Sequence, residues 1–306
     1  AVGSMAAAPA ARRYQALGHT VFGCDIYPRE WTALAGELEF FQARLATEGE
    51  PYVEQLREAV RRDMLDFLIP LTDPEVDALA PRKAEFRALG CTVCVPEERV
   101  AALCRRKDKM NRFLAEKQVC RLIPTEIAVP GQPCPFPFPA MVKPRSGRSS
   151  LGQAVAADEK SYQTALAGRE DCIVQPFLEG DILARDAFGH TRAAARQELL
   201  RNKSGLGMTV EVLPGHPLEA VCAAIAEAVG LVGVVNMEFI RHGDDFFFLE
   251  VNPRFSGGLG FSMAAGMDFA EMMLLCHSGG SVEAFPAAPK HALLARESQI
   301  ILTKQL

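Results

Sequence analysis

The stretch Asp245–Met263, DFFFLEVNPRFSGGLGFSM, guides the interpretation of the rest of this 306-residue chain. Its first half is apolar and aromatic, which is typical of a buried strand. Because side chains two apart on a strand point to the same face, we expect Glu250 and Asn252 to share one face. Leu249 and Val251 would then occupy the other face. A carboxylate beside an amide oxygen is a hard ligand pair of the kind that Mg²⁺ prefers.

A second strand is predicted just upstream, from Val234 to Ile240, and the two strands are joined by a turn-like run. If residues 243–245 form the hairpin loop, Glu238 falls opposite Glu250 on the same face. Opposed carboxylates repel each other, and a divalent cation between them relieves the repulsion. The alternative is a solvated hairpin with acidic residues on its wet face. The Phe-rich run and the Asn-Pro-Arg that follows favour the metal site.

Composition gives an ordinary globular protein of two or three domains, with 49% hydrophobic residues and a net charge of -5. This charge predicts neither a nucleic-acid nor a membrane partner. We find no apolar run of membrane-spanning length and no signal peptide, which predicts a cytoplasmic location. The nine cysteines are expected to be reduced core thiols. Cys91 and Cys94 form a C-x-x-C, but no second Cys/His pair lies nearby to complete a zinc site.

The chain begins with a helix-like segment, residues 6–17, and a strand, residues 20–25. This is the second half of a βαβ unit whose first strand is almost lost. We therefore expect residues upstream of Ala1 to be missing, since the sheet would otherwise contain a gap. Asp25 ends the strand as a ribose-binding acid would, but a lone Gly3 is not a dinucleotide fingerprint.

Helices and strands then alternate as far as about residue 104, with helices at 52–62 and 75–89 and strands at 67–70 and 91–96. This alternation predicts a small, doubly wound, parallel α/β domain over residues 1–104. Thr72 and Asp73 directly follow one strand. They are either part of a ligand site at the carboxyl end of the sheet or a plain helix N-cap.

Basic and small residues follow in the next part of the chain. A basic helix is predicted from Arg105 to Glu116, and a strand ends at Lys143. The loop after it, residues 144–152, offers backbone N–H groups and positive charge, which phosphates bind. It lacks the G-K-[ST] of a P-loop. Residues 172–181, which include Gln175, form a strand that runs into a turn, and residues 200–207 form a second basic, glycine-containing loop. A closing strand is predicted over residues 292–302.

The order of these pieces, ending in Glu250-x-Asn252-x-Arg254, resembles the ATP-grasp superfamily, and in particular its carbamoyl-phosphate-synthase-like and amino-acid-ligase branches. The E-V-N-P-R-F-S-G-G segment is the most specific part. The resemblance implies a mixed α/β and α+β fold: the doubly wound N-terminal domain (1–104), then an ATP-grasp fold of two α+β subdomains, residues 105–174 and 175–306.

The resemblance also implies roles for individual residues. Lys107 and Lys143 would contact the ATP phosphates, with Lys109 as the alternative to Lys107. The other implied nucleotide contacts are Gly147, Ser149 and Ser150 in the phosphate loop, Gln175 and the backbone of Phe177 at the adenine edge, Leu249 on the adenine ring, and Asp181 at the ribose. Asp181 would substitute for an acidic residue that such proteins carry where Ile182 stands here. The implied metal ligands are Glu238, Glu250 and Asn252.

Arg254 would face the transferred phosphoryl group, and Arg201 or Lys203 would reach the acceptor. The implied reaction is ATP-dependent carboxylate–amine ligation through an acyl phosphate, with Mg²⁺ (Mn²⁺ possible) and release of ADP and phosphate. The alternatives are phosphorylation of a small carboxylate without amide formation and a non-catalytic ATP-binding module. The substrates would be a small carboxylate and an amine, and such proteins are often homodimers. Residues 145–152 and 201–207, including Lys203, are expected to close over the phosphates as lids.

Overall fold

The computed structural model describes residues 1–147, 151–189, 191–202 and 206–305. The α-helices are α1 (Ala7–Ala16), α2 (Glu50–Asp63), α3 (Asp73–Leu79), α4 (Lys83–Ala88), α5 (Glu98–Arg105), α6 (Lys107–Lys117), α7 (Glu159–Leu166), α8 (Leu218–Val229), α9 (Leu259–Ala264) and α10 (Phe269–Ser278). Short 3-10 helices span Arg29–Trp31, Ala33–Glu37, Ala46–Glu48 and Ala80–Arg82.

The strands are β1 (Phe22–Asp25), β2 (Glu39–Gln42), β3 (Phe67–Leu68), β4 (Thr92–Val93), β5 (Arg121–Leu122), β6 (Glu126–Ala128), β7 (Ala140–Pro144), β8 (Ala154–Ala156), β9 (Cys172–Pro176), β10 (Asp181–Phe188), β11 (Arg192–Arg201), β12 (Gly207–Leu213), β13 (Val234–His242), β14 (Asp245–Asn252) and β15 (Ala292–Ala295). This mixture of parallel α/β and antiparallel sheets is the predicted fold class.

The N-terminal part of the chain is parallel, as predicted, but it does not form one continuous sheet. β1 pairs with β2 and β3 pairs with β4, each in parallel, as two separate sheets. A cavity of about 560 Å³ lies between them, lined by residues of β1 and β3. Val2 N donates to Cys24 O at 2.9 Å beside this cavity. A strand before Ala1 stays a prediction.

Two elements are shorter than predicted. The single helix expected over residues 75–89 is wrong: α3 ends at Leu79 and α4 begins at Lys83. Pro81 lies between them, and proline has no N–H to continue the helical hydrogen bonds. The closing strand, expected over residues 292–302, ends at Ala295 because β12, against which it pairs, begins at Gly207.

Two further sheets form the remainder of the chain. The smaller sheet is antiparallel in the order β6-β9-β7-β8 and packs against α7. The larger has the order β15-β12-β11-β10-β13-β14-β5 and is antiparallel except where β5 joins β14. The boundaries at 104/105 and 174/175 stay predictions. β9 (Cys172–Pro176) runs through the second of them, and β5, which lies within 105–174, pairs with the larger sheet.

The larger sheet separates an apolar core from a polar surface. One face packs against α8 through side chains that include Leu183, Phe239 and Phe248. The opposite face carries Ile182 and Ala184 and lines a large cavity. Within the described ranges, no helix is long and apolar enough to cross a membrane. All nine cysteines are free.

The β13–β14 hairpin has the predicted pairing but reaches it in a different way. Glu238 lies opposite Glu250, as expected. The turn is one residue shorter than predicted, since His242 pairs with Asp245, and a bulge at Leu249 restores the register. The prediction that Leu249 and Val251 share a face is therefore wrong. Leu249 lines the cavity beside Glu250, whereas Val251 is in the core.

Candidate functional site

The cavity has a volume of about 780 Å³ and lies between the smaller and larger sheets. The N-terminal part of the chain closes one side of it with residues 4–5 and 71–73. Most of the predicted site residues lie around this one space: Lys143, Gln175, Phe177, Arg201, Glu238, Leu249, Glu250, Asn252 and Arg254. Gly147 and Lys107 line a small adjoining pocket together with Lys143 and Glu250.

We call the group Lys107, Lys143, Glu238, Glu250 and Asn252 the hairpin end of the cavity. Asn252 Nδ2 donates to Glu250 Oε1 at 3.1 Å and to Asn236 Oδ1 at 3.3 Å. Because both amide hydrogens have acceptors, the Asn252 Oδ1 oxygen is left as the atom that can ligate a cation. Asn236 was not predicted from the sequence, although it pairs with Asn252 in the same hairpin.

Two lysines bring positive charge to this end. Lys107 is the first residue of α6, and its Nζ lies 3.1 Å from Glu250 Oε2. Lys143 is buried at the end of β7. Of the two alternatives at the basic helix, Lys107 is the one at the site, since Lys109 is exposed to solvent. The carboxylates therefore already have cations beside them.

The ionisation of these groups is perturbed by burial and by each other. Burial first, and then the charge of Glu250, raise the pKa of Glu238 above its usual range. Burial alone would raise the pKa of Glu250, but Lys107 and the hydrogen bond from Asn252 lower it on balance. Burial and the charge of Lys107 lower the pKa of Lys143 to about 8. A bound cation would favour the ionised form of both carboxylates.

We call the group Asp73, Asp186, Arg196, Arg254, Ser256 and Ser262 the arginine end. Arg254 forms a two-point ion pair with Asp73: Nε lies 2.8 Å from Oδ1 and Nη2 lies 3.1 Å from Oδ2. Asp73 is 1% exposed and comes from the N-terminal part of the chain. The predicted phosphoryl-facing arginine is thus fixed by a residue 181 positions away in sequence.

Arg196 is a further cavity residue that the sequence analysis missed. It is 1% exposed, and Nη1 donates to Asp186 Oδ2 at 2.5 Å and to Ser262 Oγ at 2.6 Å. Nη2 donates to Ser256 Oγ at 3.2 Å. A Cβ atom on Gly258 would lie 2.6 Å from this guanidinium, so the backbone approaches the arginine in a way that requires glycine. No local pattern marks Arg196 in the sequence, because its partners Ser256 and Ser262 are distant along the chain.

The predicted adenine edge lies on β9 and the residues after it. Gln175 is buried, and its Nε2 donates to Thr125 Oγ1 at 2.7 Å. Phe177 N already donates to Pro139 O at 3.1 Å, which leaves only its carbonyl oxygen for an adenine ring. Leu178 is the next residue along the cavity wall. The adenine roles of Gln175 and Phe177 stay predictions.

Asp181 does not lie in the cavity, which contradicts its predicted ribose contact. It is half exposed and forms an ion pair with Arg241 on the neighbouring strand. Strand alternation explains this, because Ile182 faces the cavity and Asp181 must therefore point the other way. Glu179 lines the cavity two residues earlier and was not singled out from the sequence.

Parts of both predicted lid loops lie outside the described residues. These parts include Ser149 and Ser150 of the first loop and Lys203 of the second. Arg201 lines the cavity, and its Nε lies 2.6 Å from Glu198 Oε2. Burial raises the pKa of Glu198. Lid closure and a role for Arg201 at the acceptor stay predictions.

Comparison with known proteins gives a related family for the second half of the chain. Residues 168–300 match a family described as ATP-grasp in the biosynthetic pathway with Ter operon. A formate-dependent phosphoribosylglycinamide formyltransferase from Pseudomonas savastanoi pv. phaseolicola (strain 1448A / Race 6) is 26% identical over 231 residues, which cover 65% of this chain. The chain spans only 55% of the length of that relative.

Solved structures share the fold at low sequence identity. The biotin carboxylase–β-γ-ATP complex from Campylobacter jejuni has a TM-score of 0.75 and 15% identity, and the match covers 95% of this chain and 72% of that one. An L-amino acid ligase from Bacillus licheniformis has a TM-score of 0.70 and 15% identity, with 90% and 73% covered. Residues 168–300 thus match an ATP-grasp family, and the chain shares its fold with these solved structures, which agrees with the resemblance carried by the E-V-N-P-R segment.

Proposed function

We propose that this chain is an ADP-forming carboxylate–amine ligase. The observation that carries the proposal is the convergence on one cavity of a carboxylate pair, an amide oxygen, two lysines and an arginine from distant parts of the chain. A triphosphate with its cation needs this combination of ligands and positive charge.

The donor set at the hairpin end fits Mg²⁺ or Mn²⁺. Among the described residues, no group of three or more His, Cys, Asp or Glu side chains is suited to a metal ion. The hairpin instead offers Glu238, Glu250 and the Asn252 Oδ1 oxygen, all oxygen ligands, and such sites usually share the ion with substrate phosphates. Held by Glu238, Glu250 and Asn252, such a cation would supply positive charge against the charge that develops during transfer.

The residues of the chain supply position and charge rather than a covalent intermediate. Lys107, whose Nζ lies beside Glu250, and the buried Lys143 would bind phosphate oxygens. Arg254 would stabilise the transferred phosphoryl group. A substrate carboxylate oxygen attacks the γ-phosphorus, and the bond to ADP breaks. The amine then attacks the acyl carbon, phosphate leaves, and the proton lost by the amine passes to solvent.

The part of the cavity wall formed by Phe177, Leu178 and Leu249 would hold the adenosine. Leu249, which the bulge turns into the cavity, would pack on the adenine ring. The Phe177 carbonyl oxygen and the N–H of Leu178 would be the backbone groups that contact the adenine edge. Because Asp181 points away from the cavity, we propose Glu179 as the acid that accepts hydrogen bonds from the ribose hydroxyls.

The relatives indicate a class of substrate. One relative is named for formate, a small carboxylate, and for phosphoribosylglycinamide, and one structural neighbour is named as a ligase of L-amino acids. We propose that this chain joins a small carboxylate to an amine. Assembly as a homodimer stays a prediction.

The test is a screen of ADP formation with Mg²⁺-ATP and pairs of small carboxylates and amines, read by phosphorus NMR. The proposal predicts ADP and phosphate that increase only when both partners are present. Turnover with a carboxylate alone would indicate phosphorylation without ligation. AMP and pyrophosphate as products, or intact ATP with every pair although ATP binds, would contradict the proposal.

A further inference from the structure

Asp73 lies at the arginine end although it belongs to the N-terminal part of the chain. It is the first residue of α3, yet the helix does not need its carboxylate. Thr72 is the N-cap, and its N–H and hydroxyl donate to Glu75 Oε2 at 2.9 and 3.0 Å. The residue that caps the helix is therefore Thr72. The carboxylate of Asp73 remains for its ion pair with Arg254.

This ion pair uses part of the Arg254 guanidinium and leaves part of it available. A guanidinium carries five N–H groups. Among the described residues, two of them donate to Asp73, and one on Nη1 donates to Phe255 O at 3.0 Å. Two N–H groups remain, one on each terminal nitrogen, on a side chain that lines the cavity. The pair with Asp73 thus fixes the plane in which these two donors lie.

The same ion pair also changes the charge that a nucleotide meets. Asp73 is almost fully buried, and Arg105 Nη1 lies 3.8 Å from its Oδ2. A buried carboxylate beside Arg254 offsets the arginine charge and repels a terminal phosphate by a Coulomb energy that water screens poorly. Arg254 therefore contributes less binding free energy to ATP in its ground state than an arginine without an acidic partner would.

Resting on the function proposed above, we propose that Asp73 is a positioning residue for Arg254. It aims the two remaining N–H groups of the arginine and limits the attraction of the arginine for ground-state ATP. Binding that is equally strong in the ground state and the transition state does not raise the rate of the chemical step. With Asp73 in place, Arg254 would stabilise the transferring phosphoryl group more than it stabilises bound ATP. The N-terminal part of the chain would thus contribute to the chemistry through Asp73.

Calorimetric titration with Mg²⁺-ATP and with Mg²⁺-ADP tests this role. Asp73→Asn keeps the shape but removes the charge, so ATP should bind about five- to tenfold more tightly while ADP affinity stays within about twofold. ADP formation with an accepted substrate pair should fall by about tenfold or more, because the arginine is no longer aimed. In an Arg254→Gln background, Asp73→Asn should change ATP affinity no further.

Asp77→Asn is the matched control. Asp77 lies one turn later on α3, and Arg105 Nε lies 3.0 Å from its Oδ2. It has the same side chain on the same helix, also paired with an arginine, but it does not line the cavity. Its replacement should leave both affinities and the rate of ADP formation unchanged.

The outcomes separate this role from simple stabilisation and from the proposed function itself. If Asp73→Asn weakens the binding of ATP and of ADP equally, or leaves ATP affinity and turnover as in the wild type, Asp73 is not a positioning residue. The ligase proposal is unaffected by that result. If the wild type binds neither ATP nor ADP, the role of Asp73 and the ligase proposal are both wrong. Should Asp73→Asn not fold, Asp73→Glu keeps the charge and displaces it by one methylene. It should keep wild-type ATP affinity with slower ADP formation, and a wild-type rate would overturn the role.

Discussion

The hairpin end of the cavity is built largely from two adjacent strands, whereas the arginine end joins residues as distant as Asp73 and Arg254. At the hairpin end, strand pairing alone brings Glu238 opposite Glu250. At the arginine end, Asp186, Ser256 and Ser262 meet around Arg196 only when helices and sheets have packed. The difference indicates that the first end depends on local register and the second on tertiary assembly. The following predictions test that distinction.

The largest effect is expected for Glu250→Gln at the hairpin end. The change keeps the shape but removes one of the two charges that would hold a cation. ADP formation should fall about a thousandfold, which corresponds to about 4 kcal/mol of activation free energy. The melting temperature should change little. Glu211→Gln, on β12 and paired with His291 outside the cavity, is the control and should keep full activity. Near wild-type activity of Glu250→Gln would make Glu250 an ordinary strand residue.

Arg196→Met at the arginine end should instead act on stability. The substitution leaves Asp186 buried without its cation, a situation that costs about 3 to 5 kcal/mol. Urea unfolding followed by circular dichroism measures the change. The double variant Arg196→Met/Asp186→Leu should regain part of the loss, because no uncompensated charge remains. A single variant as stable as the wild type would show that Arg196 does not hold this end together.

The pH dependence of ATP binding should report Lys143. Because its pKa is lowered to about 8, Lys143 is charged below that pH and loses its charge as pH rises through it. A bound triphosphate favours the charged form, so ATP affinity should fall about tenfold between pH 7 and pH 9. Lys143→Arg keeps its charge and should show a flatter profile. An equal decline in both proteins would assign the effect to another group.

The smallest effect is expected at an ion pair far from the cavity. Arg12 and Glu37 form a two-point pair in which both side chains are exposed. Exposed pairs contribute little because water already solvates both charges, so Arg12→Ala should cost less than about 1 kcal/mol. Urea unfolding compares it directly with Arg196→Met. A loss similar to that of Arg196→Met would mean that burial does not distinguish the two pairs.

The sequence was informative wherever the site depends on local pattern. The alternation of the β14 strand and its turn residues predicted the pairing of Glu238 with Glu250, and the order of strands predicted the fold class. The bulge at Leu249 was not predictable, because a two-residue and a three-residue turn both fit the loop. Asp181 lies outside the cavity because Ile182, the position at which the resemblance implies an acid, is the residue of this strand that faces the cavity.

The arginine end shows what sequence alone cannot supply. The partners of Arg196 are not its neighbours in sequence. Arg196 is buried and binds Asp186 and two serines that come from other elements. For Asp73, the sequence left open a ligand site or a helix cap, and neither interpretation predicted its ion pair with Arg254. Contacts of this kind depend on how the domains pack, and no periodic pattern in the chain encodes them.

The most direct test of the central claim is calorimetry of ATP binding with Mg²⁺ and with EDTA. The claim is that Glu238, Glu250 and Asn252 hold a divalent cation together with the triphosphate. Without the cation, the two carboxylates face the phosphates and repel them. ATP should therefore bind at least about tenfold more tightly with Mg²⁺, and Glu250→Gln should lose most of that difference. Equal ATP affinity in Mg²⁺ and EDTA would contradict the account.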